Sequence, residues 1–229
     1  MKLLYTKLVR WAFERFYCEF SWTYDAVAAL VSAGFWRDWT LAALPWLRGQ
    51  VLELGFGTGN VQCALARDAS APFVVGLDAS WQMVRHTLHK ADRAHVRVRL
   101  LRGNARALPF AAASFDTLLA TFPSEYIAAS ETLAEARRVL RPSGRLVILL
   151  GAQLSSTGVY ERLVELAYRL TLQASPRTLQ PSAAPNAPGM APFSMALQRA
   201  LSDAGFTVQS QWVAAPGGHV LFVIGEARA

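Results

Sequence analysis

Three glycines stand close together near residue 55 of this chain, in the sequence Glu53-Leu54-Gly55-Phe56-Gly57-Thr58-Gly59. The apolar residues from Val51 to Leu54 are typical of a buried strand, and helical spacing begins at Val61. Glycines between a strand and a helix let the backbone adopt positive φ and approach a ligand closely. The unpaired N–H groups of the helix start attract polar or negative groups. The pattern therefore predicts a strand–loop–helix unit that holds a small polar ligand.

The spacing of these glycines distinguishes between two classes of ligand. The dinucleotide fingerprint G-x-G-x-x-G needs its third glycine for close helix–strand packing under a pyrophosphate. Asn60 occupies that position here, and Glu53 precedes the first glycine by two residues. A carboxylate repels a pyrophosphate. The spacing and Glu53 therefore disfavour a dinucleotide.

A second carboxylate follows the next predicted strand, which runs from Phe73 to Asp78. An acid at the end of a second parallel strand can accept hydrogen bonds from both hydroxyls of a ribose. Asp78 therefore predicts a ligand with a ribose, whichever cofactor carries it. The alternative is that Asp78 caps the helix that begins near Ser80 and Trp81.

Four linked motifs in residues 51–151 together resemble class I S-adenosylmethionine-dependent methyltransferases, closest in style to the quinone and sterol methyltransferase group. They are the glycine loop, Leu77–Met83, Gly103–Phe110 and Arg138–Leu146. The resemblance implies S-adenosyl-L-methionine as the cofactor. It also implies that the glycine loop (Gly55, Gly57, Gly59) holds the amino-acid end of that cofactor, whose ammonium group suits the nearby carboxylate of Glu53.

The resemblance assigns further residues to the rest of the cofactor. It places Asp78 and Ala79 at the ribose and packs Met83 against the adenine. Asn104 stands where the family usually has an acid, and its amide oxygen can still accept a hydrogen bond from the adenine amino group. The backbone N–H of Ala105 would then serve a ring nitrogen. In the family, helices before the first strand often cover the ligand, so Tyr24 is expected to contribute to that cover.

We predict an α/β fold with a doubly wound, mostly parallel seven-stranded sheet that has one antiparallel strand. A single domain is expected, divided into a helical leader (1–48), a cofactor-binding core (49–151), a lid-like insertion (152–205) and a C-terminal strand pair (206–229). Helices are predicted over 3–20, 130–140, 157–173 and 193–204. Strands are predicted over 97–101, 117–121, 145–150, 206–213 and 219–225, with a turn at 141–144 and a proline-rich loop at 174–192.

Composition limits the partners and the location of the chain. The formal net charge is +7, yet only 17% of the residues are charged. Basic residues are not interleaved with aromatic residues in a run, and we interpret the alternating arginines from Arg93 to Arg102 as a solvated face. We therefore predict no nucleic-acid partner. Cys18 and Cys63 form no disulfide or metal pattern, which favours a reducing, cytoplasmic location and no metal. A weak membrane contact through Lys7 and Arg10 is left open, as is the oligomeric state.

The expected reaction is in-line displacement of an activated methyl group, in which proximity supplies much of the rate. The acceptor is expected to be small and largely apolar, because the leader is rich in aromatic residues and the insertion has an apolar helix face. A hydroxyl or carbon acceptor benefits from a general base, and the candidates are Glu125, Tyr126 and His219. A non-catalytic binding module, a nucleotide-cofactor oxidoreductase and a nucleic-acid methyltransferase remain as alternatives.

Overall fold

The computed structural model describes residues 32–155 and 191–227. Several predictions lie outside these residues. They concern the helix over 3–20, Tyr24, the helix over 157–173, and the loop from Ala174 up to residue 190. The lid-like role predicted for the insertion over 152–205, which contains that loop, therefore stays a prediction.

The described residues form a seven-stranded sheet between two layers of helices. The helices are α1 (Trp36–Leu41), α2 (Asn60–Leu65), α3 (Trp81–Arg93), α4 (Ser130–Val139) and α5 (Ala191–Asp203), with short 3₁₀ helices at Leu44–Trp46 and Glu125–Ala128. The strands are β1 (Gln50–Leu54), β2 (Phe73–Asp78), β3 (Leu100–Arg102), β4 (Phe115–Thr121), β5 (Leu140–Leu154), β6 (Phe206–Ala215) and β7 (Gly218–Ala227).

The strand order is β3-β2-β1-β4-β5-β7-β6. Strands β1 to β5 pair in parallel, whereas β7 runs antiparallel to both β5 and β6. The predicted fold class, with one antiparallel strand in a mostly parallel sheet, is confirmed. The order reverses beside β1, and ligands of open α/β sheets bind at such a point, outside the carboxyl ends of the strands.

Each face of the sheet packs against its own apolar cluster. Successive residues of β1 point to opposite faces, so neighbouring residues of β1 belong to different clusters. Val51 packs with Val61 and Leu65 of α2 and with Trp39 of α1. On the opposite face, the cluster contains Leu52 and residues of α4 and α5 such as Leu133 and Leu197. Near-continuous apolar runs such as Val51–Leu54 are what a parallel strand with two covered faces requires.

The fifth strand differs from its prediction. Phe115 pairs with Leu140 and Thr117 pairs with Arg145, so the four residues 141–144 bulge out of the ladder. Ser143 has φ +61° there. The predicted turn is therefore a bulge inside one long strand, and helix α4 ends one residue earlier than expected.

The bounds of five other elements are also corrected. Strand β3 covers only Leu100–Arg102 instead of 97–101, because β2 offers it just three partners, Gly76 to Asp78. Helix α5 begins at Ala191, not 193, since a proline in the first helical turn has no N–H to satisfy. Strands β4, β6 and β7 each extend one to two residues beyond the predicted ends.

Candidate active site

A cleft of about 1050 Å³ opens at the carboxyl ends of β1, β2 and β4. Eight of the ten predicted cofactor residues line it: Glu53, Gly55, Gly57, Asp78, Ala79, Met83, Asn104 and Ala105. They come from three separate stretches of sequence, which the parallel strands bring to one edge. Of the other two, Tyr24 lies outside the described residues and Gly59 does not reach the cleft.

Asp78 connects the glycine loop to the start of helix α3. Its Oδ2 accepts a hydrogen bond from the Gly57 N–H at 3.0 Å, and its Oδ1 accepts one from the Ser80 N–H at 2.8 Å. The cap of α3 is Ser80, whose Oγ accepts from the Met83 N–H at 3.3 Å. The alternative interpretation of Asp78 as the helix cap is therefore wrong. Its remaining lone pairs are available for the hydroxyls of a ribose.

The three glycines of the loop have different reasons for lacking a side chain, although all have positive φ. A Cβ on Gly55 would stand 2.7 Å from the Tyr126 hydroxyl, and one on Gly59 would collide with Thr87 of α3. A Cβ on Gly57 would meet nothing within 4 Å. Gly57 therefore presents bare backbone to the open cleft, whereas Gly59 serves the packing of α2 against α3.

Glu53 lies under the loop and is only 1% exposed. Its Oε2 accepts a hydrogen bond from Gln62 Nε2 at 2.7 Å. Burial raises the pKa of Glu53 to about 8, although the Gln62 bond lowers it and the nearby Asp78 raises it slightly. The carboxyl group is therefore mostly protonated at neutral pH, and its repulsion of a pyrophosphate is weaker than the sequence suggested.

The charge balance of the whole cleft still disfavours a pyrophosphate. Besides the mostly protonated Glu53, two carboxyl groups line it (Asp78 and Glu125), and among its described lining residues Arg106 is the one cationic side chain. Lys90, the lysine of the part of the chain that the structure describes, donates to the Thr58 carbonyl and to Asn60 Oδ1. A cationic ligand fits these walls better than a polyanion does.

Asn104 has a structural role that the sequence did not indicate. Its Oδ1 accepts the Arg106 N–H at 2.9 Å, and its carbonyl accepts the Ala107 N–H at 3.0 Å. The side chain thus closes a tight turn that exposes Asn104 to the cleft and buries Ala105. One lone pair of Oδ1 remains for a ligand amino group.

Helix α4 fixes this same loop from below. Glu135 accepts the Leu108 N–H at 2.6 Å. Arg138 donates to Glu135 and to the carbonyls of Leu108 and Phe110. These contacts hold the Asn104 end of the cleft in place through side chains that do not line it.

The three candidate bases occupy different environments. Glu125 is exposed and lines the cleft. The Tyr126 hydroxyl donates to the Leu54 carbonyl at 2.9 Å, and burial raises its pKa further above the usual value. His219 is exposed on β7, paired between Gln153 and Ala214, and does not line the cleft. Of the three, Glu125 is best placed to accept a proton.

Aromatic residues that the sequence did not single out line the β4 end of the cleft. The rings of Trp36 and Phe122 stack with centroids 4.3 Å apart and an interplanar angle of 25°. Phe122 has φ +46°, a strained value for a residue without glycine's freedom, and its N–H donates to the Leu149 carbonyl at 2.8 Å. In the sequence, only the Phe122-Pro123 pair after a strand marks this position. That pair does not predict that Phe122 adopts a left-handed backbone conformation.

Comparisons with known proteins agree with this architecture. Residues 51–144 match the family model described as "Methyltransferase domain". The ubiquinone/menaquinone biosynthesis C-methyltransferase UbiE of Syntrophotalea carbinolica is 35% identical over 131 residues, covering 55% of each chain. Demethylmenaquinone methyltransferase of Lactiplantibacillus plantarum is 36% identical over 138 residues, covering 57% of this chain and 58% of its own. The chain thus matches little more than half the length of these relatives.

Solved structures support the fold over a longer part of the chain. A S-adenosylmethionine-dependent methyltransferase from Aquifex aeolicus superposes with a TM-score of 0.57 at 17% identity, covering 90% of this chain and 96% of its own. One from Methanosarcina mazei gives 0.52 at 16% identity, covering 80% and 95%. At these identities the likeness concerns the fold alone.

The resemblance to class I S-adenosylmethionine-dependent methyltransferases is therefore confirmed for the segment that carries the motifs. The family match and the cleft together support S-adenosyl-L-methionine as the cofactor, as predicted. Among the described residues, no helix has both the length and the apolar character needed to cross a membrane.

Proposed function

We propose that this chain transfers a methyl group from S-adenosylmethionine to a small, largely apolar acceptor. The observation that carries the proposal is the continuity of one cleft. It begins at the Asn104 turn, passes Asp78 and the bare backbone of Gly57, and ends at the stacked rings of Trp36 and Phe122.

The described residues divide the cleft by chemistry. Met83, Asn104 and Ala105 would hold the adenine, and the free lone pairs of Asp78 would hold the ribose. The amino-acid end would lie over Gly57, near the carboxyl group of Glu53. In this orientation the aromatic pair would lie next to the methyl-bearing end, and the position of β4 beside β1, on the side away from β2, supports it.

The bound cofactor supplies a methyl group already activated on a sulfonium, so the protein need only orient the acceptor and exclude water. The Trp36–Phe122 wall and Pro123 suit an apolar ring, since apolar walls with few polar groups are the usual character of a small-molecule site. Glu125 is positioned on the same wall to accept the proton that a hydroxyl or carbon acceptor must lose.

The relatives indicate the class of acceptor. The proteins named above methylate ubiquinone or menaquinone precursors by their printed names, and a quinol is an apolar ring that fits the aromatic wall. A non-catalytic binding module would not need that wall, and the cleft carboxyl groups disfavour an oxidoreductase on a dinucleotide. We place the protein in the cytoplasm.

The test is product analysis after incubation of the purified protein with a cell extract and S-adenosylmethionine that carries a trideuterated methyl group. We expect the label in a compound that partitions into organic solvent, found by mass spectrometry. Label confined to charged, water-soluble compounds or to nucleic acid would contradict the apolar acceptor.

A further inference from the structure

The positive charge of this chain is concentrated in one part of its sequence. Residues 79–114 contain seven basic residues and a single acidic one, Asp92. Their formal net charge is therefore +6, against +7 for the whole chain. In the structure this segment comprises α3, the edge strand β3 and the loop that leads to β4.

The arginines of this segment face solvent. Six are exposed: Arg85, Arg93, Arg97, Arg99, Arg102 and Arg106. The described ion pairs at Arg138 and Arg141 involve none of these six arginines, although Arg106 lies close enough to Glu131 to lower the pKa of that carboxyl group. Charge left unpaired at this density attracts an anionic partner.

Large apolar side chains are exposed in the same place. The described residues include five such side chains, and four of them lie here: Phe73 at 41%, Trp81 at 50%, Leu88 at 42% and Leu101 at 38%. The fifth, Met195, is on α5. No helix lies between β3 and β4 in the described chain, so Leu101 of β3 and Phe73 at the start of β2 remain exposed, whereas Val75 and Leu77 of β2 pack in the core.

The apolar and cationic side chains alternate on both sides of the edge strand. On α3, Trp81, Arg85 and Leu88 follow one another at spacings of four and three residues, which places them on one stripe. Leu100 packs inward against Met83 and Val84, so alternation turns Leu101 to the opposite face. There the Arg99 guanidinium lies 4.5 Å from the centroid of the Phe73 ring.

This surface continues into the mouth of the cleft. Trp81 directly follows Ser80, which lines the cleft. Arg102 Nε donates to the carbonyl of Ala79, another lining residue, at 3.2 Å, and Arg106 lines the cleft itself. A partner that covers the surface would therefore also adjoin the opening of the candidate active site.

We propose that this surface, the basic edge formed by the six arginines with Phe73, Trp81, Leu88 and Leu101, docks on an anionic lipid bilayer. The proposal rests on the proposed apolar acceptor, which such docking would deliver from the lipid phase. It replaces the interpretation of Arg93 to Arg102 as a merely solvated face. It also concerns a surface distinct from Lys7 and Arg10, which lie outside the described residues.

The mixture of side chains favours lipid over other anionic partners. An indole and arginines belong at the headgroup level, and aliphatic side chains such as Leu88 and Leu101 gain free energy when they enter the acyl boundary. Single-stranded nucleic acid is held by aromatic planes on which successive bases stack. Two of the four exposed apolar side chains here, Leu88 and Leu101, are aliphatic and do not serve that role.

The test is co-sedimentation of the full chain with vesicles of phosphatidylcholine alone or with about 30% phosphatidylglycerol. We expect binding to the anionic vesicles only, and we expect 0.5 M salt to reduce it. In the variant Arg85→Gln/Leu88→Ser/Arg97→Gln, each lost arginine should weaken binding about fivefold, so the loss should exceed about 25-fold. The control is Met195→Ser/Arg199→Gln, which removes a more exposed apolar side chain and one exposed arginine from α5 and should bind like the unmodified chain.

Cofactor binding, measured by calorimetry on the same samples, should be unchanged in both variants and shows that they are folded. Equal binding to both vesicle types, absence of binding, or an equal loss in the α5 control would overturn the docking proposal. Competition by single-stranded RNA that fully displaces the protein from vesicles at equal phosphate concentration would also overturn it. Vesicle binding without any methyl transfer would leave docking standing and contradict the proposed function instead.

Discussion

Gln62 donates a hydrogen bond of 2.7 Å to Glu53 beneath the glycine loop, and both side chains are shut off from solvent. The amide oxygen of Gln62 has no partner among the described atoms. The pair is therefore an enclosed polar contact in which the neutral form of the carboxyl group is favoured, because burial raises the pKa of Glu53 to about 8.

This raised pKa predicts how stability depends on pH. The folded protein holds the Glu53 proton more tightly than the unfolded chain does, whose ordinary value is 4.5. The contribution of this group is then complete below pH 4.5 and is lost as the pH rises through about 8. Relative to Glu53→Gln, the unmodified protein should lose up to about 4 kcal/mol of unfolding free energy between pH 5 and 9.

Urea titrations of both proteins across that range measure this difference in the absence of cofactor. A constant difference between the two proteins from pH 5 to 9 would show that Glu53 is ionised in the fold. Binding of a cationic cofactor should reduce the difference, since it favours the charged carboxylate.

Replacement of Asp78 by alanine should weaken cofactor binding strongly. The carboxylate would no longer hold the Gly57 and Ser80 N–H groups or accept the ribose hydroxyls, and each charge-assisted hydrogen bond contributes roughly 1.5–3 kcal/mol. Calorimetry with S-adenosylmethionine measures the loss. The control is Asp68→Ala, which removes an exposed acid that bonds only its own turn at Ser70. Equal affinity of Asp78→Ala and the control would refute the assigned role.

The sequence was sufficient to predict the sheet and the cofactor end of the cleft. Glycine spacing, carboxylates after strands and apolar runs are local signals, and parallel strands carry such signals to a common edge without further information. That is why eight predicted residues meet in the cleft. The structural reason for a glycine at position 59, the approach of Thr87 from α3, could not be predicted because it is a tertiary contact.

The acceptor end could not be predicted in the same way. Trp36 belongs to a leader with many aromatic residues, and nothing local marks the one that meets Phe122. The protonation state of Glu53 could not be predicted either, because the sequence does not show that the carboxyl group is buried and burial is what raises its pKa. His219 was chosen for its place at the sheet edge, but the distance along the edge from β1 to β7 separates it from the cleft.

Replacement of Asn104 by aspartate should be tolerated. A carboxylate oxygen can accept the Arg106 N–H as the amide oxygen does, and the family usually has an acid there. Asn104→Ala lacks this acceptor and should bind S-adenosylmethionine about five- to tenfold more weakly, since a hydrogen bond contributes ~1 kcal/mol. Titration of both variants tests this ordering. Weaker binding by Asn104→Asp than by Asn104→Ala would mean that the two amide protons of Asn104 matter instead.

Replacement of Phe122 by alanine should affect the acceptor and spare the cofactor. The variant removes an aromatic ring that would contact the acceptor, and one aromatic contact is worth about 1 kcal/mol, so KM for an apolar acceptor should rise at least about fivefold. The affinity for S-adenosylmethionine should stay the same. Phe110→Ala removes a ring from another aromatic pair, with Phe115, outside the cleft, and should leave KM unchanged. An effect on cofactor affinity alone would contradict the division of the cleft.

The central claim is that one cleft binds S-adenosylmethionine and passes its methyl group to an apolar acceptor. The most direct measurement is transfer of a radiolabelled methyl group by the purified protein to a quinol or phenol, counted after extraction into organic solvent. We predict label in the organic phase for the unmodified protein and almost none for Asp78→Ala. Tight binding of S-adenosylmethionine with no label passed to any apolar acceptor, or tighter binding of NAD, would contradict the claim.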